Sequence, residues 1–227
     1  AIEQFDLSEF DAIVSSSHCV AKGVLNPRQV PHWSYVHAPM RYMWDRFDDY
    51  FGPGRQRFLA RSVAQWIRPH LQAWDRQSAD PKKVSRMVAN STFVAEQVHR
   101  HYGRDAEVIH PFVDLERFEY RTNAAENFYL MVGAFAPNKR VDLAIEASKR
   151  FRFPLWIVGD GQDRRRLEAL AQGSPVRFLG SRSDREIADL YRRTKAFIFP
   201  GVEDFGITPL EAMASGAPVV AYGQGGV

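Results

Sequence analysis

The sequence predicts an α/β chain built on parallel sheets, and three observations carry that prediction. Short apolar runs alternate with helical patterns along most of its 227 residues. Strands alternating with helices at this spacing need crossover connections, which make the strands parallel. Runs such as Ala196–Pro200 are apolar throughout, as strands buried on both faces are. Glycines follow the runs at Gly133, Gly159, Gly180, Gly201 and Gly223, where the chain leaves each strand for a loop.

In the first half, Ala12–Ser16 and His32–Val36 read as strands. Arg55–Gln77 is a long helical pattern in which Phe58, Leu59, Ser62, Trp66, Ile67 and Trp74 recur near three-to-four spacing. Pro69 is expected to kink or split it. Val84–Asn90 is a strand, and Ser91-Thr92 caps a helix running through Tyr102 to Gly103. Val108–Pro111 is the last strand of this half. Glu116–Asn127 is polar and aperiodic, the best interdomain linker. This divides the chain into a first α/β domain, 1–118, a linker, 119–127, and a second domain, 128–227.

From Phe128 the elements alternate strictly. The strands are Phe128–Gly133, Leu155–Val158, Val176–Leu179, Phe197–Pro200 and Val219–Tyr222. The helices are Val141–Arg150, Arg164–Gln172, Asp184–Arg193 and one opening at Thr208. Right-handed crossovers align the carboxyl ends of such strands on one rim. The loops 133–140, 159–162, 180–183, 201–207 and 223–226 collect there. Glycines at successive strand ends suggest close backbone approach to one ligand.

Composition bounds the function. At 45% hydrophobic and 25% charged, the chain is globular. A net charge of +3 suits anionic substrates and is too weak to argue nucleic-acid binding. The single cysteine, Cys19, excludes an internal disulfide and reads as buried filler. No metal-binding spacing occurs, so no metal site is expected. No run approaches a membrane-spanning length. The chain lacks an initiator Met and stops after a glycine turn, so both domains are expected to be incomplete.

The most informative pair is Glu203 and Glu211, with seven residues between them. Glu203 lies on a loop at a strand's carboxyl end, where open α/β sheets bind ligands. Thr208 reads as a helix N-cap, Pro209 as the first helical residue and Glu211 as the third. Such a helix N-terminus suits a phosphate. Thr-x-x-Glu is equally a capping box, in which Glu211 only satisfies orphan amides. Lys139 and Arg140 precede a helix, where cations oppose the macrodipole and a diphosphate would reverse that balance. Gly159-Asp160-Gly161 lacks the third glycine of a dinucleotide fingerprint and reads as a tight turn.

The segment EDFGITPLE, Glu203 to Glu211, resembles the E-x7-E motif of retaining glycosyltransferases of family four, which have the GT-B fold. Phe128–Ala147, Leu155–Leu170 and Val176–Tyr191 resemble successive pieces of that family's donor domain. Ser15–Val24 and Tyr35–Phe51 resemble acceptor-domain segments. The latter is similar to a branch that makes bacterial surface polysaccharides, including O-antigen mannosyltransferases.

The resemblance implies two Rossmann-like domains facing a cleft and transfer of a hexose, mannose above others, with retention. The donor implied is a nucleotide sugar, GDP-mannose, with no metal or other cofactor. The acceptor is a saccharide or lipid-linked saccharide, in the cytoplasm or peripherally on the inner membrane face. Lys139 matches the lysine that holds the donor diphosphate; the arginine the family often carries five residues earlier is Ala134 here, and Arg140 is the candidate replacement. Glu203 falls beside the donor sugar, and Glu211 accepts from ribose hydroxyls. Phe205, Gly206 and Ile207 offer backbone amides to sugar and phosphate, and Gly159, Gly161 and Gly180 flank the nucleotide. His37 faces the reacting sugar from the acceptor side, with His18 as its competitor.

Arg41, Tyr42, Trp44 and Asp45 shape an acceptor pocket on this reading; Tyr42, Trp44 and Phe47 read equally as a packed aromatic face. Arg55, Arg57, Arg61, Arg68, Trp66 and Trp74 form a solvated helix face or touch anionic lipid. Two other classes stand beside the transferase: a GT-B nucleotide-sugar epimerase and a non-catalytic sugar-nucleotide binding module.

Overall fold

The computed structural model describes residues 2–52, 58–120 and 124–227. Contacts divide the chain into two compact units, one running to His110 and the other beginning at Pro111. This division falls earlier than the polar linker read from the sequence. The reason is Phe118, which is buried in the second unit's core beside Tyr191 and Phe197.

The first unit holds a four-stranded parallel sheet in the order β1-β2-β3-β4. The strands are β1 (Ile13–Ser17), β2 (His32–Val36), β3 (Arg86–Ala89) and β4 (Glu107–Val108). Helices α1 (Phe47–Phe51) and α2 (Phe58–Ser78) follow β2, and α3 (Thr92–Tyr102) follows β3. Ser91 caps α3 by accepting from Val94 N, and Gly103 ends it at φ 67°, a left-handed turn that glycine adopts freely. Val94, Val98 and Tyr102 pack on Val36, Met87 and Ala89 to make this unit's core.

Helix α2 continues through Pro69 as one element, so the expected split does not occur. Pro69 is exposed, and its missing N–H costs one bond on the water side. The inner side is held by stronger forces. Asp75, fully buried, accepts from Lys22 Nζ, from Trp44 Nε1 at 2.7 Å and from the Tyr102 hydroxyl at 2.9 Å.

The second unit holds a five-stranded parallel sheet in the order β7-β6-β5-β8-β9. Its strands are β5 (Tyr129–Val132), β6 (Leu155–Val158), β7 (Val176–Gly180), β8 (Ala196–Phe199) and β9 (Val219–Ala221). The alternating helices are α4 (Val141–Phe151), α5 (Arg164–Leu170), α6 (Asp184–Arg193) and α7 (Ile207–Ala214). Alternate residues feed two cores: Leu130, Val158 and Phe197 pack with Tyr191 and Ala212, while Met131, Leu155 and Ile157 pack with Val141, Ile145 and Leu167. Apolar demand on both faces is why these strands read as unbroken hydrophobic runs.

Chain order reverses between β5 and β8, whose connections leave in opposite directions. Such a reversal opens a crevice at the carboxyl ends of the two strands.

Candidate functional site

At that reversal the loop after β5 meets the loop after β8. Pro137–Lys139 forms a single 3-10 turn, and Arg140 follows at φ 50° before α4 begins. Glu203, three residues beyond Pro200, is bridged to Gly225 in parallel fashion. Its Oε1 accepts from Asn138 Nδ2 at 2.8 Å and lies 2.9 Å from Lys139 Nζ. The two charged side chains are largely covered, at 24% and 13% exposure. Sequence reasoning put Lys139 and Glu203 in one site for separate reasons; the structure places them in direct contact. It also supplies the counter-charge that the macrodipole argument assigned to a ligand. Arg140 turns elsewhere, with Nε and Nη2 at 3.2 Å from the Asp142 carboxylate.

The rim glycines have a reason inside the protein. A Cβ on Gly159 would lie 2.0 Å from Gly133 O, and one on Gly161 would lie 2.8 Å from Phe135 N. One on Gly201 would lie 2.6 Å from Asn138 O. Loop-on-loop contact therefore requires these glycines without appeal to a ligand. Gly180 differs: it ends β7 at φ 71° with open space around it.

Helix α7 starts two residues earlier than the capping pattern predicts. Gly206, at φ 90°, is its N-cap, and Ile207 is the first helical residue. Thr208 is thus no N-cap, and Glu211 is no member of a capping box. Pro209 sits in the first turn, where its missing N–H is needed by nothing. The capping box of this unit lies instead at Ser183 and Glu186, opening α6.

Freed from capping, Glu211 points to α6, where the Tyr191 hydroxyl donates to its Oε2 at 3.1 Å. Burial pushes the Glu211 carboxyl above its ordinary pKa, and Tyr191, fully buried, is pushed up likewise. A carboxylate held partly out of water with one neutral donor has unused acceptor capacity. Phe205 and Gly206 are half-buried beside it, and Ile207 is 39% exposed.

In the first unit, His18 and His37 follow the adjacent strands β1 and β2, and both are exposed. The structure distinguishes them by surroundings. His37 Nε2 lies 2.9 Å from the Ser16 hydroxyl, its ring meets Tyr35 edge-on at 5.3 Å, and its carbonyl accepts from buried Asn90. His110 Nδ1 bonds the Asn90 carbonyl at 3.0 Å, bringing a third histidine to the same rim. Arg41 is half-buried in the following segment.

Trp44 and Asp45 both pack against α3 through His101. Trp44 stacks on His101 at 4.5 Å, and Asp45 Oδ2 lies 2.7 Å from His101 Nε2. Phe47 is buried, and burial with the Cys19 contact pushes the Tyr42 hydroxyl up to about 12. Arg68 is spent on the carbonyls of Met43 and Trp44, and Trp74 donates to Glu3. Arg55 and Arg57 lie outside the described residues.

Sequence reasoning missed Asn138, Tyr191, Asn90 and His110. Asn138 stands beside Lys139 and was the most accessible of these, but no local pattern marks an amide as a partner of a residue 65 positions away. Among the described residues, no group of three or more His, Cys, Asp or Glu side chains could hold a metal ion. No helix among them is long and apolar enough to cross a membrane.

Comparison with known proteins adds to this geometry. Residues 112–227 match the family model of glycosyl transferases group 1, and residues 1–117 match glycosyltransferase family 4. A GDP-mannose-dependent alpha-mannosyltransferase of Mycolicibacterium smegmatis is 32% identical over 79% of this chain and 47% of its own length. A D-inositol 3-phosphate glycosyltransferase of Geodermatophilus obscurus is 34% identical over 64% of this chain and 39% of its own. The chain thus spans less than half the length of these relatives. Among solved structures, a sucrose-phosphate synthase of Thermosynechococcus elongatus superposes with TM-score 0.73 at 21% identity. That match covers 97% of this chain and 58% of the other, and it speaks for the fold alone. The paired parallel-sheet units, the glutamates at the second sheet's rim and matches along both halves lead to one conclusion: the chain belongs to the group 1, family 4 glycosyltransferases of GT-B fold.

Proposed function

We infer that this protein transfers a hexose, with retention, from a nucleotide sugar to a saccharide acceptor. The observation that carries the reading is the Lys139–Glu203–Asn138 cluster at the reversal of strand order in the second sheet. A lysine ammonium there offers a point charge to a diphosphate, and the amides opening α7 offer it hydrogen bonds. Fixed donors aimed at a leaving group stabilise the charge that develops as the glycosidic bond breaks. On this reading Glu203 serves the donor sugar, and Glu211, with spare acceptor capacity, the ribose hydroxyls.

His37, oriented by Ser16, serves the acceptor side. On this reading the leaving phosphate itself takes the acceptor hydroxyl's proton, and Lys139 and the α7 amides hold the diphosphate without a metal. GDP-mannose is the donor we favour, in keeping with the mannosyltransferase relative, and a lipid-linked saccharide of surface-polysaccharide synthesis is the acceptor. The site is then cytoplasmic. Exposed Leu59, Val63 and Trp66 along one side of α2 support peripheral contact with the inner membrane face.

The test is a thermal-shift panel of GDP-mannose, UDP-glucose and ADP-glucose. A donor at one hundred times its dissociation constant adds about 2.7 kcal/mol of stability. No shift with any of them refutes the reading. Epimerisation of the nucleotide sugar without acceptor would point to the epimerase class.

A further inference from the structure

The second donor on Glu203 has a role of its own. Asn138 Nδ2 and Lys139 Nζ converge on the same oxygen, Oε1, at 2.8 and 2.9 Å. Both of these protein donors fall on Oε1 rather than on Oε2. The two donors differ in kind. Lys139 is a cation on a flexible stem, suited to swing toward a phosphate. Asn138 is neutral, short and 7% exposed. Its backbone lies against the β8 loop so closely that a Cβ on Gly201 would come within 2.6 Å of Asn138 O and 2.9 Å of Lys139 Cα.

A buried amide N–H that loses its acceptor has no water to replace it, so Asn138 holds Glu203 whether or not the lysine is present. When a diphosphate draws Lys139 away, Asn138 alone keeps Oε1 fixed and leaves Oε2 available.

We propose that Asn138 is the positioning residue for the donor sugar: it pins Glu203 by Oε1 so that Oε2 accepts a hydrogen bond from a hexose hydroxyl of the nucleotide sugar. This rests on the nucleotide-sugar reading above. It separates two parts of one ligand, since Asn138 acts on the sugar and Lys139 on the diphosphate.

Calorimetric titration of the protein at its natural length tests it. The probes are GDP-mannose against GDP, UDP-glucose against UDP, and ADP-glucose against ADP, for wild type and Asn138→Ala. For the pair that wild type binds, Asn138→Ala loses about ten-fold in affinity for the nucleotide sugar and less than about two-fold for the nucleoside diphosphate. Equal losses for both, or none for the sugar, overturn the proposal, because a merely structural asparagine would not tell sugar from phosphate. If wild type binds no member of any pair, the functional reading itself falls and takes this proposal with it. Should Asn138→Ala fail to fold, Asn138→Leu keeps a similar volume, removes the donor without adding charge and carries the same expectation.

Discussion

Replacing Lys139 by Ala separates two roles that the structure superimposes on one ammonium. It pairs with Glu203 at 2.9 Å, with the side chains 24% and 13% exposed. Exposed pairs contribute about 0–1 kcal/mol, whereas breaking a fully buried pair costs about 3–5 kcal/mol. Partial cover and the surviving Asn138 bond place this pair toward the lower end, at about 1–2 kcal/mol. In a chain of this size each kcal/mol moves Tm by about 2–4 °C, so a fall of roughly 2–8 °C is expected. The ligand effect is larger. A hydrogen bond to a charged group is worth about 1.5–3 kcal/mol, so nucleoside diphosphate affinity should drop by about ten- to 150-fold. Differential scanning fluorimetry reads the first quantity, and titration with GDP, UDP and ADP reads the second. A lowered Tm with unchanged nucleotide affinity would refute the reasoning and leave Lys139 as nothing more than a counter-ion to Glu203.

Other perturbations probe the same architecture. Glu211→Gln should weaken nucleotide binding about ten-fold while leaving stability unchanged or raised, because the Tyr191 hydroxyl can still donate to the amide oxygen. Burial raises the folded-state pKa of Glu211, so its favourable contribution is present below the unfolded pKa and lost as pH rises through the folded one. Urea melts from acid to neutral pH should therefore show a flatter profile for Glu211→Gln, and an unaltered profile would contradict the burial argument. His32 is fully buried between the Ser15 hydroxyl and the Lys83 carbonyl, and desolvation lowers its pKa below 6.5. Its contribution is intact above the unfolded value and disappears as pH falls through the folded one, so the first unit should weaken on acidification. His32→Gln should blunt that loss in denaturant melts. Gly201→Ala must part the β5 and β8 loops; a cost of about 1–3 kcal/mol is expected, and a wild-type Tm would show that the loops are not held in this contact.

The secondary structure of this chain was largely legible without coordinates. His32–Val36, Leu155–Val158 and Asp184–Arg193 appear with the bounds that their local patterns predict. The Ser91 cap and the Gly103 stop were likewise readable, because a cap is decided by residues within one turn. Local reading failed where two local solutions compete. Thr208-Pro209-Leu210-Glu211 fits a capping box, yet Gly206 can enter the left-handed region and start the helix sooner. Trp44 fitted a pocket or a packed aromatic face equally well, and Asp45 a pocket, because nothing nearby shows that His101, on α3, meets both.

The candidate site divides along the same line. The resemblance to the family's motifs singles out Glu203, Glu211, Lys139 and His37, for which residue type and position alone leave a structural reading open. Tertiary structure decides their partners: Asn138 and Lys139 on one oxygen of Glu203, Tyr191 on Glu211, Ser16 on His37. Those partnerships depend on which strands lie side by side. That order is set by how the whole set of apolar faces is buried together, and no short window of sequence contains it.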